Sequence, residues 1–295
     1  MENIVECRNL THYYGNKMVY ENLSFNIKKG RILGLLGKNG VGKTTTINIL
    51  NGFLTPRGGE CVIMGENSKH LSPEVKARIG FLIEGHIQYA FMNVHQIEKF
   101  YSGFYSNWNR DVYFELISKL KITPKQKIST MSCGQRSQVA LGLILAQNPD
   151  LLVLDDFTLG LDPGYRRLFI DFLREYSKEQ GMTVFTTSHI IQDMERLIDD
   201  CMIMDYNRVL VYEPVKEFMS RYRQYRFQTE SNNLELKKNE MIIGYEQIGN
   251  SVELYSYCNP ESVQDYLRFL NIRFSDFQEE SATLEDAFIG LTGKY

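Results

Sequence analysis

The chain has 295 residues, with 33 basic and 36 acidic side chains and a formal net charge of −3. Hydrophobic residues at 43% and charged ones at 23% are ordinary for a globular protein and argue against a disordered, collagen-like or coiled-coil chain. The near-balanced charge argues against a nucleic-acid binder, and the length suits one large domain with an appendage.

The most apolar runs, 32–37 (ILGLLG), 141–146 (LGLILA) and 151–154 (LLVL), fall well short of the ~18 consecutive apolar residues needed to cross a bilayer. Glu2 and Glu6 stand where a secretory signal needs an apolar core, so the sequence predicts a chain kept in the cytoplasm with no span of its own. The cysteines Cys7, Cys61, Cys133, Cys201 and Cys258 are scattered without a C-x-x-C pair, which indicates neither a disulfide framework nor a structural zinc site.

Residues 4–29 mix β-prone side chains with a Tyr14-Gly15-Asn16 turn and predict short strands before a turn at Gly30. Residues 31–37 are apolar without alternation, as in a strand buried on both faces of a parallel sheet, and a glycine-rich turn and a helix over 44–54 follow. The aromatic-rich stretch 93–121 has helical spacing, with Phe100, Phe104, Phe114, Leu116 and Leu120 as its apolar positions, inside a helical insert of about 86–148. A second buried strand at 151–156, a helix at 166–180 and a third strand at 183–189 complete the alternation of an α/β fold. Residues 222–295 form a small α/β unit, with strands in QYRFQT, MIIGYEQI and SVELYSY, a helix PESVQDYLRFL, a further strand and a closing helix TLEDAFIGLTG. The expected domains are therefore 1–221 and 222–295.

Gly37, Lys38, Asn39, Gly40, Val41, Gly42, Lys43 and Thr44 match G-x-x-x-x-G-K-[ST] between a predicted strand and a predicted helix. Glycines let the backbone wrap a phosphate, so that amide groups and the positive end of the helix face the anion. Lys43 then reaches the β/γ-phosphates and the Thr44 hydroxyl ligates Mg²⁺. A glycine turn serving flexibility alone is the competing account. The complement of such a site is a carboxylate at the end of a buried strand, and LLVLDD supplies Asp155 for the metal and Asp156 to polarise water. A helix cap is the alternative for that pair.

The ordered motifs resemble the ATP-binding subunit of an ATP-binding cassette (ABC) transporter over roughly 6–211. MSCGQ at 131–135 resembles the L-S-G-G-Q signature, LGLD at 159–162 the D-loop, and His189 after TVFTTS the switch histidine. Tyr14 matches the aromatic residue on which adenine stacks. The resemblance implies a P-loop nucleotide-binding cassette: a mixed, mainly parallel sheet, an N-terminal antiparallel β region, a helical insert and a small C-terminal accessory domain. It also implies ATP and Mg²⁺ as cofactors, with the nucleotide on Tyr14, residues 37–44 and Thr45. Thr44, Asp155 and Glu84 would hold Mg²⁺, and Asp156, His189 and Glu84 would carry the catalysis. Two cassettes, identical or different, would pair head to tail. Ser132, Cys133, Gly134 and Gln135 of one would then meet the ATP of the other, and Asp162 would cross the interface. An N-cap role for Ser132 and a plain strand-end role for His189 stay open. A separate integral membrane permease is the further implied partner, reached at the insert near 84–105, with the cassette peripheral on the cytoplasmic face of the membrane.

Four positions depart from the family pattern: Asp156 stands for glutamate, Phe157 for proline, Cys133 for the first signature glycine and Glu84 for glutamine. Asp156 is one methylene shorter than the usual base, and a misplacement of about 1 Å costs on the order of a hundredfold in rate, so slow hydrolysis is expected. Glu84, the phrase FYSNWNRD and the ending LEDAFIGLTGK resemble ABC-2-type exporters, including those for peptide antibiotics and self-protection. The function implied is an ATPase subunit driving an exporter permease. The alternative is a nucleotide-gated regulatory module with little or no hydrolysis.

Overall fold

The computed structural model describes residues 2–82, 89–158, 161–231 and 233–293. Glu84, Leu159 and Gly160 of the expected site, and the side chain of Cys133, lie outside the described residues.

Strands β1 (Asn3–Tyr14) and β2 (Lys17–Lys28), each of 12 residues, form one antiparallel hairpin rather than several short strands. Register shifts along β1 break the alternation that a reader uses to follow a strand, and Asn9 and Asn22 adopt positive φ there. Side-chain oxygens satisfy the displaced amides: the Asn9 N–H donates to Ser24 Oγ at 2.8 Å and the Asn22 N–H to Thr11 Oγ1 at 3.1 Å.

β3 (Ile32–Gly37) is buried almost throughout and leads into α1 (Lys43–Leu50). β4 (Gly58–Ile63) returns antiparallel to β1, followed by β5 (Glu66–Asn67), the short α2 (Pro73–Lys76) and β6 (Ile79–Leu82). The insert carries α3 (Val94–Ser102), α4 (Arg110–Lys119) and α5 (Cys133–Ala146). Then come β7 (Leu151–Asp155), α6 (Pro163–Gln180), β8 (Thr183–Thr187), α7 (Ile191–Leu197) and β9 (Asp200–Asp205). The parallel sheet runs β9-β3-β8-β7-β6, and the antiparallel sheet β2-β1-β4-β5. Their shared core joins Phe25 and Ile27 of β2 to Leu35 of β3, Val153 of β7 and Phe185 of β8, with the Phe25 and Phe185 rings stacked at 6.0 Å. The fold is thus α/β, with a parallel core and antiparallel additions.

In the insert, caps set the helix starts: Asn93 with Gln96, and Ser132 with Gln135, form capping boxes, and the Asn109 side chain caps α4. Leu116 and Leu120 are buried as their spacing predicts, but Phe104 is 68% exposed and Phe100 lies at the surface. The 3.6-residue period identifies a common face without telling which neighbour covers it. The buried Glu98 carboxylate accepts from Trp108 Nε1 at 3.0 Å and has the Arg110 guanidinium at 3.7 Å, which satisfies a charge inside the insert.

The chain divides into two compact units, Met1–Val209 and Leu210–Tyr295, with β10 (Arg208–Pro214) running across the division. The second unit starts with α8 (Val215–Arg221) and β11 (Arg223–Thr229), then β12 (Gly244–Ile248), β13 (Ser251–Ser256), α9 (Pro260–Phe269), β14 (Phe274–Glu280) and α10 (Leu284–Thr292). Its antiparallel sheet, ordered β12-β13-β11-β14, packs around Tyr225, Phe227, Val252, Leu254, Val263 and Leu267. The run MIIGYEQI is strand only from Gly244. Upstream, the Asn239 side chain accepts from the Met241 and Ile242 amides and diverts them from the ladder.

Phe185→Ala, at a fully buried ring between the two sheets, should cost about 3–5 kcal/mol of stability. Phe104→Ala should stay within about 0.5 kcal/mol. Urea unfolding of the two variants checks the pair, and an equal loss at both positions would contradict the surface placement of Phe104.

Candidate functional site

Three neighbouring parallel strands end side by side. Leu35 of β3 pairs with Thr187 of β8, and Thr187 pairs with Asp155 of β7, so the loop after β3, Asp156 after β7 and the segment to His189 after β8 leave from one edge of the sheet. This carboxyl edge of a parallel sheet is where ligands bind in open α/β folds.

The loop after β3 takes its shape from glycines. Gly42 has φ +106°, and a Cβ there would lie 2.7 Å from the Tyr20 ring and 2.8 Å from Val19, so only glycine lets the loop rest on the hairpin β1–β2. The start of α1 has no side-chain cap and no acidic residue in its first turn, so its amides and positive end are open to an anion. Lys43 Nζ donates to the Gly37 carbonyl at 2.6 Å and the Lys38 carbonyl at 3.2 Å. Burial pushes the Lys43 ammonium below the usual lysine range, while Asp156 and Asp155 act against that shift.

Asp155 is buried and its Oδ1 accepts from Thr187 Oγ1 at 2.5 Å. Burial raises its pKa, with Asp156 adding to the effect, while Thr187, Lys43 and a bond to the Thr44 side chain oppose it. A hydroxyl and a carboxylate in contact are hard oxygen donors of the kind Mg²⁺ takes. Asp156 sits beyond the strand with φ 44°. Its Oδ1 accepts from the His189 backbone N–H at 2.9 Å, and its Oδ2 lies 2.9 Å from His189 Nε2.

A cleft of about 250 Å³ gathers Tyr14, Lys17, Val19, Asn39, Gly40, Gly42, Lys43, Thr44, Thr45, Asp156 and His189. Tyr14 is 53% exposed, its hydroxyl 3.4 Å from Thr45 Oγ1 and its ring edge-on to His12 at 4.9 Å. Lys38, Val41 and Asp155 are buried rather than part of the cleft wall. Ser132, Gly134, Gln135 and Asp162 also stand outside it. Ser132 caps α5: its Oγ accepts from the Gln135 N–H at 3.2 Å, and Gln135 Oε1 accepts from the Ser132 N–H at 3.1 Å. Asp162 occupies the N-cap position of α6 without a side-chain cap bond.

The sequence reasoning passed over Thr187, which holds both carboxylate residues: besides its bond to Asp155, its carbonyl accepts from the Asp156 N–H at 3.2 Å. The signal was the hydroxyl pair Thr186-Thr187 at the end of β8, directly after Val184 and Phe185. It also passed over Lys17, two residues beyond the Gly15 turn, and Tyr20, on which Gly42 rests.

Residues 20–159 match the ABC transporter family. The chain is 29% identical, over 99% of its own length and 98% of the other, to the bacitracin transport ATP-binding protein BcrA of Bacillus licheniformis. It is 30% identical, over 70% of each chain, to the Nod factor export ATP-binding protein I of Cupriavidus metallidurans strain CH34. Among solved structures, cbiO1 from Clostridium perfringens, part of an ABC transporter complex, superposes with a TM-score of 0.63 at 24% identity, covering 75% of this chain and 92% of that one, a likeness of fold. With its strand-end cleft, its glycine-shaped loop and this similarity to ATP-binding proteins of transporters, the chain belongs to the ATP-binding subunits of the ABC transporter family.

Proposed function

We propose that the chain binds and hydrolyses ATP in order to drive a separate membrane permease, an exporter, through ATP-dependent head-to-tail pairing of two cassettes. The observation that carries the proposal is the single cleft joining Tyr14, the glycine loop with Lys43, and the Asp156–His189 pair. Tyr14 stacks the adenine, loop amides 38–45 and Lys43 take the triphosphate, and Asp156 orients a water and accepts its proton while His189 holds the γ-phosphate. Thr44 and Asp155 would hold Mg²⁺, which when bound supplies charge neutralisation at the phosphate oxygens. Glu84 is proposed as a further Mg²⁺ contact on sequence alone.

Ser132, Cys133, Gly134 and Gln135 at the start of α5, with Asp162, act across the interface on the partner cassette's nucleotide. Their position outside the chain's own cleft supports this, as does the lack of an acidic residue in the first turn of α5. Among the described residues no helix is long and apolar enough to cross a membrane, and the transport path is proposed to lie in the permease. The insert supports docking of that permease from the cytoplasmic side. Tyr89, Phe91, Phe100 and Phe104 form a chain of ring contacts at 5.0–6.0 Å, with Phe91 73% exposed. The likeness to a Nod factor export ATP-binding protein supports export as the direction. Residues 222–295 are proposed as an accessory domain.

A second reading, a nucleotide-gated module that hydrolyses little, is favoured by one observation: both oxygens of the short Asp156 carboxylate are engaged by His189. Mg²⁺-dependent ATP hydrolysis by the purified chain decides between the two. The unmodified chain should turn over, Lys43→Ala should abolish activity, and Asp156→Asn should lower the rate about 10²–10⁴-fold. ATP binding without turnover, with activity gained in Asp156→Glu, would transfer the case to the gated module.

Tyr14→Ala should weaken ATP binding by about 1–3 kcal/mol, the loss of one stacked base, without changing the melting temperature. Calorimetric titration reads this, and an unchanged Kd removes Tyr14 from the site. Thr187→Val leaves a buried Asp155 oxygen without its donor and should cost about 1–3 kcal/mol of stability, together with a raised Mg²⁺ requirement in the ATPase assay.

A further inference from the structure

Cys7 on β1 and Cys61 on β4 are cross-strand partners. The Met64 N–H donates to the Ile4 carbonyl at 2.8 Å, which makes Val5 and Ile63 a non-hydrogen-bonded pair of this antiparallel ladder. Two positions on, Cys7 and Cys61 fall in the same class, in which the Cα atoms are about 4.5 Å apart and the side chains are closest. Their Sγ atoms are 3.6 Å apart, on the core face, at 1% and 2% exposure. A disulfide requires Cα atoms roughly 4.4–6.8 Å apart and a bond of about 2.0 Å, so the sulfurs reach bonding distance without a change of strand register.

One side chain joins this pair to the nucleotide loop. Tyr20 on β2 is buried, and its hydroxyl accepts from Thr46 Oγ1 at 3.4 Å. Its ring fills the space that a Cβ on Gly42 would need. Tyr20 belongs to the same buried core as Cys7 and Cys61. Burial pushes the Cys7 thiol well above its ordinary value, and both sulfurs are shielded from solvent, so the pair reacts only when the sheet opens locally. β4 is covered on its outer side by the two-residue β5 alone, which makes that opening a local event.

We propose that Cys7 and Cys61 form a reversible intramolecular disulfide on exposure to a low-molecular-weight disulfide, and that closing the bond weakens nucleotide binding by shifting Tyr20 against the Gly42 loop. The second half rests on the nucleotide site proposed above, and the first half does not. One cysteine, as thiolate, attacks a sulfur of the small disulfide, breaks its S–S bond and expels one small thiol, which takes up a proton. The other cysteine gives up its proton, attacks the cysteine sulfur of the mixed disulfide and expels the second small thiol. Two cysteine sulfurs are oxidised and one small disulfide is reduced to two thiols. In a reducing cytoplasm the pair stays open, and an oxidative challenge closes it.

The test treats the purified full chain with cystamine, alkylates the remaining thiols in acid, maps linked peptides by mass spectrometry, and titrates ATP into the oxidised and the dithiothreitol-treated chain. A linked Cys7–Cys61 peptide is expected, with ATP affinity about fivefold or more weaker and restored by dithiothreitol. Cys61→Ala and Cys7→Val, each tested for ATP binding before oxidation, should lose the response to cystamine. Absence of the linked peptide from a chain that binds ATP overturns the proposal. A linked peptide with unchanged affinity overturns the coupling through Tyr20, as does an undiminished response in both variants. If the linked peptide forms and neither state binds ATP, the nucleotide site fails while the disulfide stands.

Discussion

Leu35, Thr187 and Asp155 lie in one row because β3, β8 and β7 are parallel and in fixed register. These strands are buried on both faces, so a slip of one residue between β7 and β8 would set Leu154 beside Thr187 and leave the Asp155 carboxylate in an apolar setting without its hydroxyl donor. The loop to α1, Asp156 and His189 all take their starting points from this row. Their convergence on one cleft is a consequence of strand register rather than of proximity along the chain.

The same burial sets the electrostatics. A dry strand edge penalises the Lys43 ammonium and the Asp155 carboxylate alike, and the opposite charges nearby act against that penalty without cancelling it. Within the chain the Lys43 ammonium is satisfied by two backbone carbonyls, which are partial charges. A triphosphate with a divalent cation, as proposed, would offer full charges to both groups. Asp156, placed in a left-handed conformation beyond the strand and bound by His189, is oriented by the neighbouring strand β8 and not by its own.

The antiparallel hairpin forms the other wall of the cleft. Stacking of Phe25 on Phe185 fixes the hairpin to the parallel sheet, and contact between Tyr20 and Gly42 fixes it to the loop, so Tyr14 at the end of β1 reaches Thr45 at 3.4 Å. Cys7 on β1 and Cys61 on β4 lie on the core face of the sheet to which that wall belongs. The exposed rings of the insert are a separate surface, and Glu98 fixes its local geometry by tying α3 to Trp108 and Arg110.

The glycine loop and LLVLDD were legible because each is a contiguous stretch whose local conformation dictates its residue types: glycine where φ is positive or backbone packs closely, lysine and threonine where the helix begins, and a carboxylate where an apolar strand ends. The α/β alternation was legible for the same reason, since periodicity is a local property. Phe100 and Phe104 read as core because helical spacing specifies a shared face, and only the packing of α3 shows that theirs is left uncovered. Ser132 and Gln135 read as ligand groups, while the folded chain engages their side chains in a capping box. The role of Thr187 and the pairing of Cys7 with Cys61 depend on residues 32 and 54 positions away in the chain. The sequence by itself thus determined which segments carry the glycine loop and the strand-end carboxylates, because those requirements act within a few bonds. Only the tertiary structure decided which side chains share the cleft, which thiols touch and which rings face outward, because strand register and layer packing act between residues far apart along the chain.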